Sequence, residues 1–158
     1  MTIIFKDLIK DKTFHFLCFT ILLSIIILFF LGKFNARFVP DTGGYIIDSY
    51  KNFTDLFNNQ RAPFFGLFLK FFEFGEKKYF FFPFFSIGLY FFSIIFLYYS
   101  QKIYGLSKST CLSIPLGLIF SNPLLLYSNY IHPEILSISL IIITFSLEEL
   151  KRILVQCH

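Results

Sequence analysis

Phe14 to Leu31 reads FHFLCFTILLSIIILFFL, and this run decides the fold class. Only His15, Thr20 and Ser24 interrupt its apolar character. At a rise of about 1.5 Å per residue it reaches about 27 Å, close to the roughly 30 Å hydrocarbon core of a bilayer, so it predicts a spanning helix. A signal peptide has a shorter apolar region and small residues at its cleavage site. Here Gly32-Lys33-Phe34-Asn35 follows, and the segment reads as an uncleaved anchor.

Composition agrees with that reading. The 158-residue chain is 56% hydrophobic, holds 26 Phe and is only 15% charged, with a mean hydropathy of +0.69. Soluble domains carry about 25% charged residues, so an integral membrane protein is expected. The formal net charge of +4 does not imply nucleic acid, because Lys and Arg flank apolar runs and form no basic stripe. Membrane lipid is the partner that such flanking cations fit. Cys18, Cys111 and Cys157 are far apart and make no metal or disulfide pattern, so structural thiols are expected.

Three further apolar runs follow. Tyr79 to Tyr99 is long enough to span, and Cys111 to Tyr127 is a third span holding Pro115 and Pro123, tolerable where neighbouring helices satisfy freed carbonyls. Ile135 to Leu147 is short for a span. Leu147, Leu150, Ile153 and Leu154 nevertheless continue the helical period past Glu148, Glu149, Lys151 and Arg152, which predicts a helix that emerges and runs on along the membrane surface. The loop from 32 to 78 carries Ile46, Tyr50, Phe53 and Phe57 at helical spacing between charges, and then the apolar stretch Phe64 to Phe74. Both predict amphipathic helices lying in the interface. The expected fold is a single all-α, polytopic membrane domain over 1–158, with about four transmembrane helices (14–31, 79–99, 111–127 and 135–147) and a long outer loop.

Chemistry concentrates in the stretch Phe38-Val39-Pro40-Asp41-Thr42-Gly43-Gly44-Tyr45. An acid in a glycine loop just past a span presents a carboxylate at headgroup depth. An even number of spans separates this loop from the connection 128–134, so Asp41, Arg61, His132 and Glu134 fall on one side of the membrane. Lys and Arg divide evenly between the two sides, and the positive-inside rule selects neither orientation. Blander readings stand beside these: Asp41 as a turn acid, Arg61, Lys77 and Lys78 as interfacial anchors, and His132-Pro133-Glu134 as a helix start with proline leading and the acid favoured by the dipole.

A first span, a loop opening with Pro-Asp-Thr-Gly-Gly-Tyr, amphipathic helices, Arg61-Ala62-Pro63 and an aromatic second span together resemble the amino-terminal part of GT-C glycosyltransferases. The protein mannosyltransferases and the aminoarabinose transferase of lipid A are the nearest in kind. The resemblance implies transfer of a sugar from a polyprenyl-phosphate donor to an acceptor on the outer side of a bacterial plasma membrane. It implies Asp41 as the base or positioning acid, with Glu134, or else His132, at the acidic position of the second outer loop. Tyr45, Arg61, Lys77, Lys78 and His132 become candidate substrate-binding residues, Arg61 being suited to phosphate by its bidentate fork. Family members have eight or more spans, so this chain corresponds to a fragment of a larger domain. It also lacks the second acid that the mannosyltransferases place beside the first. A divalent metal between Asp41 and Glu134 is open as a cofactor, although two acids from distant loops define no cage. The alternative function is a small non-enzymatic accessory or scaffold protein with a partner membrane subunit.

Overall fold

The computed structural model describes residues 10–38, 63–72, 79–121, 129–131 and 133–156. Its helices are α1 (Lys12–Phe30), α2 (Pro63–Lys70), α3 (Phe82–Ile103), α4 (Lys108–Ile119) and α5 (Glu134–Gln156). Among the described residues there is no strand, only an isolated parallel bridge between Arg37 and Tyr130. The all-α class is therefore observed.

Local chemistry explains where the helices begin and stop. Asp11 caps α1 by accepting a hydrogen bond from the Thr13 backbone at 3.0 Å. At the other end Gly32 takes φ 67, Lys33 N–H donates to the Leu28 carbonyl and Gly32 N–H to that of Phe29. This is the Schellman pattern, which needs a residue that tolerates the left-handed region. The same device closes α3, where Gly105 has φ 85 and Leu106 and Gly105 donate to Gln101 and Lys102. Ser107 then caps α4 by accepting from Thr110 N–H at 3.2 Å. The chain is thereby reversed within a few residues, and α4 runs antiparallel to α3.

α3 is the centre of the bundle. It packs most extensively against α5 and then α4, while α1 contacts α4. Leu17 and Leu28 of α1, Tyr90 and Ile94 of α3, Ile119 of α4 and Ile135 of α5 form the main core. A second apolar cluster joins Phe65 and Leu69 of α2 to Tyr79, Phe82, Ile131 and Leu136. Hydroxyls inside the helices satisfy themselves on carbonyls one turn back: Thr20 on Phe16, Ser86 on Phe82, Ser139 on Ile135 and Ser146 on Ile142. That arrangement suits surroundings without water.

α1 and α3 are long and apolar enough to cross a membrane. They differ in setting. Only 22% of the apolar window of α1 is buried, against 56% for α3, and Phe16, Phe19, Leu22, Ile26 and Phe30 of α1 lie exposed. A core helix of a soluble protein would bury such a surface, because a large exposed apolar patch is costly in water.

The expectation of four spans is corrected: among the described residues only these two helices meet the length and hydropathy of a span. α4 ends at Ile119 after 12 residues, about 18 Å of rise, too short for a bilayer. α5 is a continuous helix through the charged stretch, as its period predicts, but Glu134, Glu148, Glu149, Lys151 and Arg152 lower its hydropathy. Its charged portion does not leave the bundle entirely, since Glu149 accepts a hydrogen bond from Ser100 of α3 at 2.9 Å.

One boundary and one placement also change. The second span starts at Phe82 rather than 79, because Tyr79 occupies φ 63 in the turn before it. The apolar stretch after Pro63 forms α2, yet it does not lie free on an interface. Phe65 sits edge-on to Phe82 at 6.0 Å, Phe68 lies 5.5 Å from Phe85, and Leu69 is fully buried. The amphipathic helix expected over 46–57 falls outside the described residues.

One tertiary hydrogen bond closes α4. Tyr90 donates its hydroxyl to the Leu118 carbonyl at 2.7 Å, and Ser121 donates to the same oxygen from its hydroxyl and its backbone. Tyr90→Phe is expected to cost only about 0.5–1 kcal/mol, because Ser121 keeps the carbonyl satisfied. Thermal unfolding in detergent micelles measures it, and a loss above about 2 kcal/mol would mean that Ser121 does not compensate.

Candidate functional site

The end of the bundle where α1 finishes and α3 and α5 start is the candidate site. Arg37 and Tyr130 meet there: Arg37 N–H donates to the Asn129 carbonyl at 2.8 Å, and Ile131 N–H donates to the Arg37 carbonyl at 3.1 Å. The backbone leading to Asp41 is thus tied to the backbone leading to Glu134. Both loop entries share one end of the molecule.

Glu134 is the one sequence-predicted site residue within the described residues. It opens the first turn of α5, directly after Pro133, with its side chain partly buried. An acid is favoured there by the exposed N–H groups and the helix dipole, as the plainer reading of the sequence anticipated. Asp41, Tyr45, Arg61, Lys77, Lys78 and His132 lie outside the described residues.

Cations gather near the same end. Arg37 is exposed, and Lys33 is close enough to be influenced by it. Burial first, and the Arg37 guanidinium second, hold the Lys33 ammonium below the usual lysine range. A phosphate placed between the two would relieve their repulsion.

A groove of about 530 Å³ opens between the starts of α3 and α5. Phe65, Phe68, Phe85, Leu89, Leu136 and Leu140 line it, with Pro133 and Ser137 at the α5 side. It offers an apolar chain a path that ends one residue from Glu134. Asn129 is a further residue that sequence reasoning did not single out. It is wholly buried, and among the described residues neither polar atom of its side chain has a hydrogen-bond partner, a costly state for an amide.

The opposite end holds the strongest polar cluster among the described residues. Asp11 accepts from the Thr13 hydroxyl at 2.8 Å and from the Tyr98 hydroxyl at 3.0 Å, and it is ion-paired with Lys102. Burial alone would push the Asp11 carboxyl up. The hydrogen bonds from Lys102, from the Thr13 hydroxyl and backbone, and from Tyr98 outweigh it and hold the carboxyl well below the usual carboxylate range. The cluster clasps the start of α1 to the end of α3.

Among the described residues no three His, Cys, Asp or Glu side chains are grouped to hold a metal. Cys111 is buried, with its thiol directed at the Leu106 carbonyl, and Cys18 is half-buried. Comparison with protein-family models, with curated proteins and with solved structures finds no match for this chain.

Proposed function

We propose that this chain is an integral membrane glycosyltransferase of the GT-C type, or the amino-terminal part of one, that takes a sugar from a polyprenyl-phosphate donor in a bacterial plasma membrane. The observation that carries the reading is the apolar groove between α2, α3 and α5, which opens between the starts of α3 and α5, at the end of the bundle where α1 finishes and Lys33 and Arg37 follow it. An isoprenoid chain fits the groove by its chemistry, and its phosphate fits the cations. In the reaction, an acceptor hydroxyl attacks the anomeric carbon, its proton passing to Asp41. The bond from that carbon to the phosphate breaks, and the phosphate leaves with the electron pair. Positive charge stabilises the departing oxygen, so few protein groups are required.

A photoreactive polyprenyl phosphate, incubated with membrane vesicles containing the chain, tests the reading. Labelling is expected on the starts of α3 and α5. Leu136→Trp fills the groove and is expected to cut labelling about tenfold, equivalent to about 1.4 kcal/mol of binding. Equal labelling of the variant, or none on these segments, would move the accessory-protein reading ahead of the enzyme.

A further inference from the structure

The end of the bundle where α1 and α4 begin has its own binding chemistry. A cleft of about 420 Å³ is lined by Lys10, Asp11, Lys12, Thr13, Lys102 and Lys108. The acid does not cancel these cations equally. Asp11, with only 7% of its side chain exposed, is engaged by Lys102, Thr13 and Tyr98. Lys10, Lys12 and Lys108 are exposed, and among the described residues none of them has an ionic partner.

Three positive charges without an ionic partner among the described residues therefore face one cleft from two different helix starts. Lys12 is the first residue of α1 and Lys108 the first of α4. The N-termini of both helices add partial positive charge where an anion would sit. One turn beyond Lys12, Phe16 is 52% exposed, and Phe19 is 63% exposed. A phosphate in the cleft would thus have a wall of apolar side chains running away from it along α1.

We propose that this cleft binds the phosphodiester headgroup of an anionic membrane lipid, with the lipid's acyl chains lying along the exposed aromatic face of α1. The proposal rests on α1 being a membrane span and not on glycosyl transfer, because the cleft lies at the end remote from the groove. A soluble phosphate ester would satisfy the lysines but would leave the aromatic face without a partner. The lysines alone would be ordinary interfacial anchors. Their convergence from two helix starts on a cleft whose acid is already engaged distinguishes a site.

The test uses the full chain in mild non-ionic detergent, with native mass spectrometry as the readout. Phosphatidylglycerol is titrated against phosphatidylcholine of equal chain length. A preference of roughly tenfold or more for phosphatidylglycerol is expected, because each lysine near an anionic headgroup contributes favourably. The variant Lys10→Gln/Lys12→Gln/Lys108→Gln is expected to lose that preference, and the corresponding triple arginine variant to keep it. Lys151→Gln/Arg152→Gln removes exposed charge from α5 and is expected to leave it unchanged, which separates the cleft from net charge. Glycerol 3-phosphate at millimolar concentration is expected not to displace the lipid. Equal binding of the two lipids, retention by the glutamine variant, loss in the α5 variant, or displacement by glycerol 3-phosphate would each overturn the assignment.

Discussion

Asp11→Ala is expected to lower stability by about 2–3 kcal/mol, the largest single effect among the described polar residues. Two losses combine. The helix cap donated to by Thr13 N–H is worth about 1 kcal/mol. Breaking a largely buried ion pair by removing one partner costs up to about 3–5 kcal/mol, reduced here because the Lys102 side chain is 31% exposed and can turn to water. Lys102→Met is expected to cost about 2 kcal/mol, since Thr13 and Tyr98 still donate to the carboxylate it leaves behind. Because the two side chains touch, the double variant is expected to lose less than the sum by about 1–2 kcal/mol. Thermal unfolding of the four proteins in one detergent reads this directly, and strict additivity would show that the pair is not coupled.

The pH dependence has a fixed sign. The folded carboxyl of Asp11 titrates below its unfolded value, so the unfolded chain binds the proton more readily and acid favours unfolding. The contribution is complete above the unfolded carboxylate pKa of about 3.9 and is lost as pH falls further toward the folded value. From pH 8 to pH 5 the difference in unfolding temperature between the native protein and Asp11→Asn is expected to be constant. Below about pH 4 it is expected to shrink, and a difference that grew on acidification would assign the ion pair no stabilising role.

How much of this was legible in the sequence depends on whether a feature is local. The apolar runs that became α1 and α3 announce themselves, because a helix able to cross a bilayer needs apolar side chains on every face. The start of α5 at Glu134 was legible from Pro133, and the stop of α1 from Gly32. Tertiary choices were not. The segment that became α2 has the composition of an interfacial helix, and only the proximity of Phe82 and Phe85 turns it inward. Nothing in the residues around Asp11 singles it out, yet it finds its partner at Lys102, 91 positions away. No local pattern encodes that distance. Asn129 carried no signal at all, since asparagine in a connection is ordinary. The side shared by the Asp41 and Glu134 loops was inferred by counting spans. The third of the four runs so counted stops as a helix at Ile119, and what the structure ties together is the two loop entries, through the Arg37 to Tyr130 bridge.

Asp41→Asn is the substitution expected to affect the proposed chemistry most. An amide cannot take the proton of an attacking hydroxyl, and a positioned general base contributes roughly 10²–10⁴-fold to rate. Transfer from polyprenyl-phosphate-linked mannose or aminoarabinose, measured in membrane vesicles, is expected to fall by that factor. Photolabelling by the donor should persist, since the proposal assigns binding to the groove and to cations such as Arg37 rather than to the acid. Asp41→Glu keeps the acid but moves it by one methylene, and partial activity is expected, because misplacement by about 1 Å costs up to 10²-fold. The two readouts separate the roles. Loss of transfer with labelling retained assigns Asp41 to the chemical step, whereas loss of both would make it a residue that shapes the loop. Undiminished transfer by Asp41→Asn would remove it from the proposed mechanism and pass the role of acid to Glu134, in the first turn of α5 and next in sequence to the Pro133 that lines the groove.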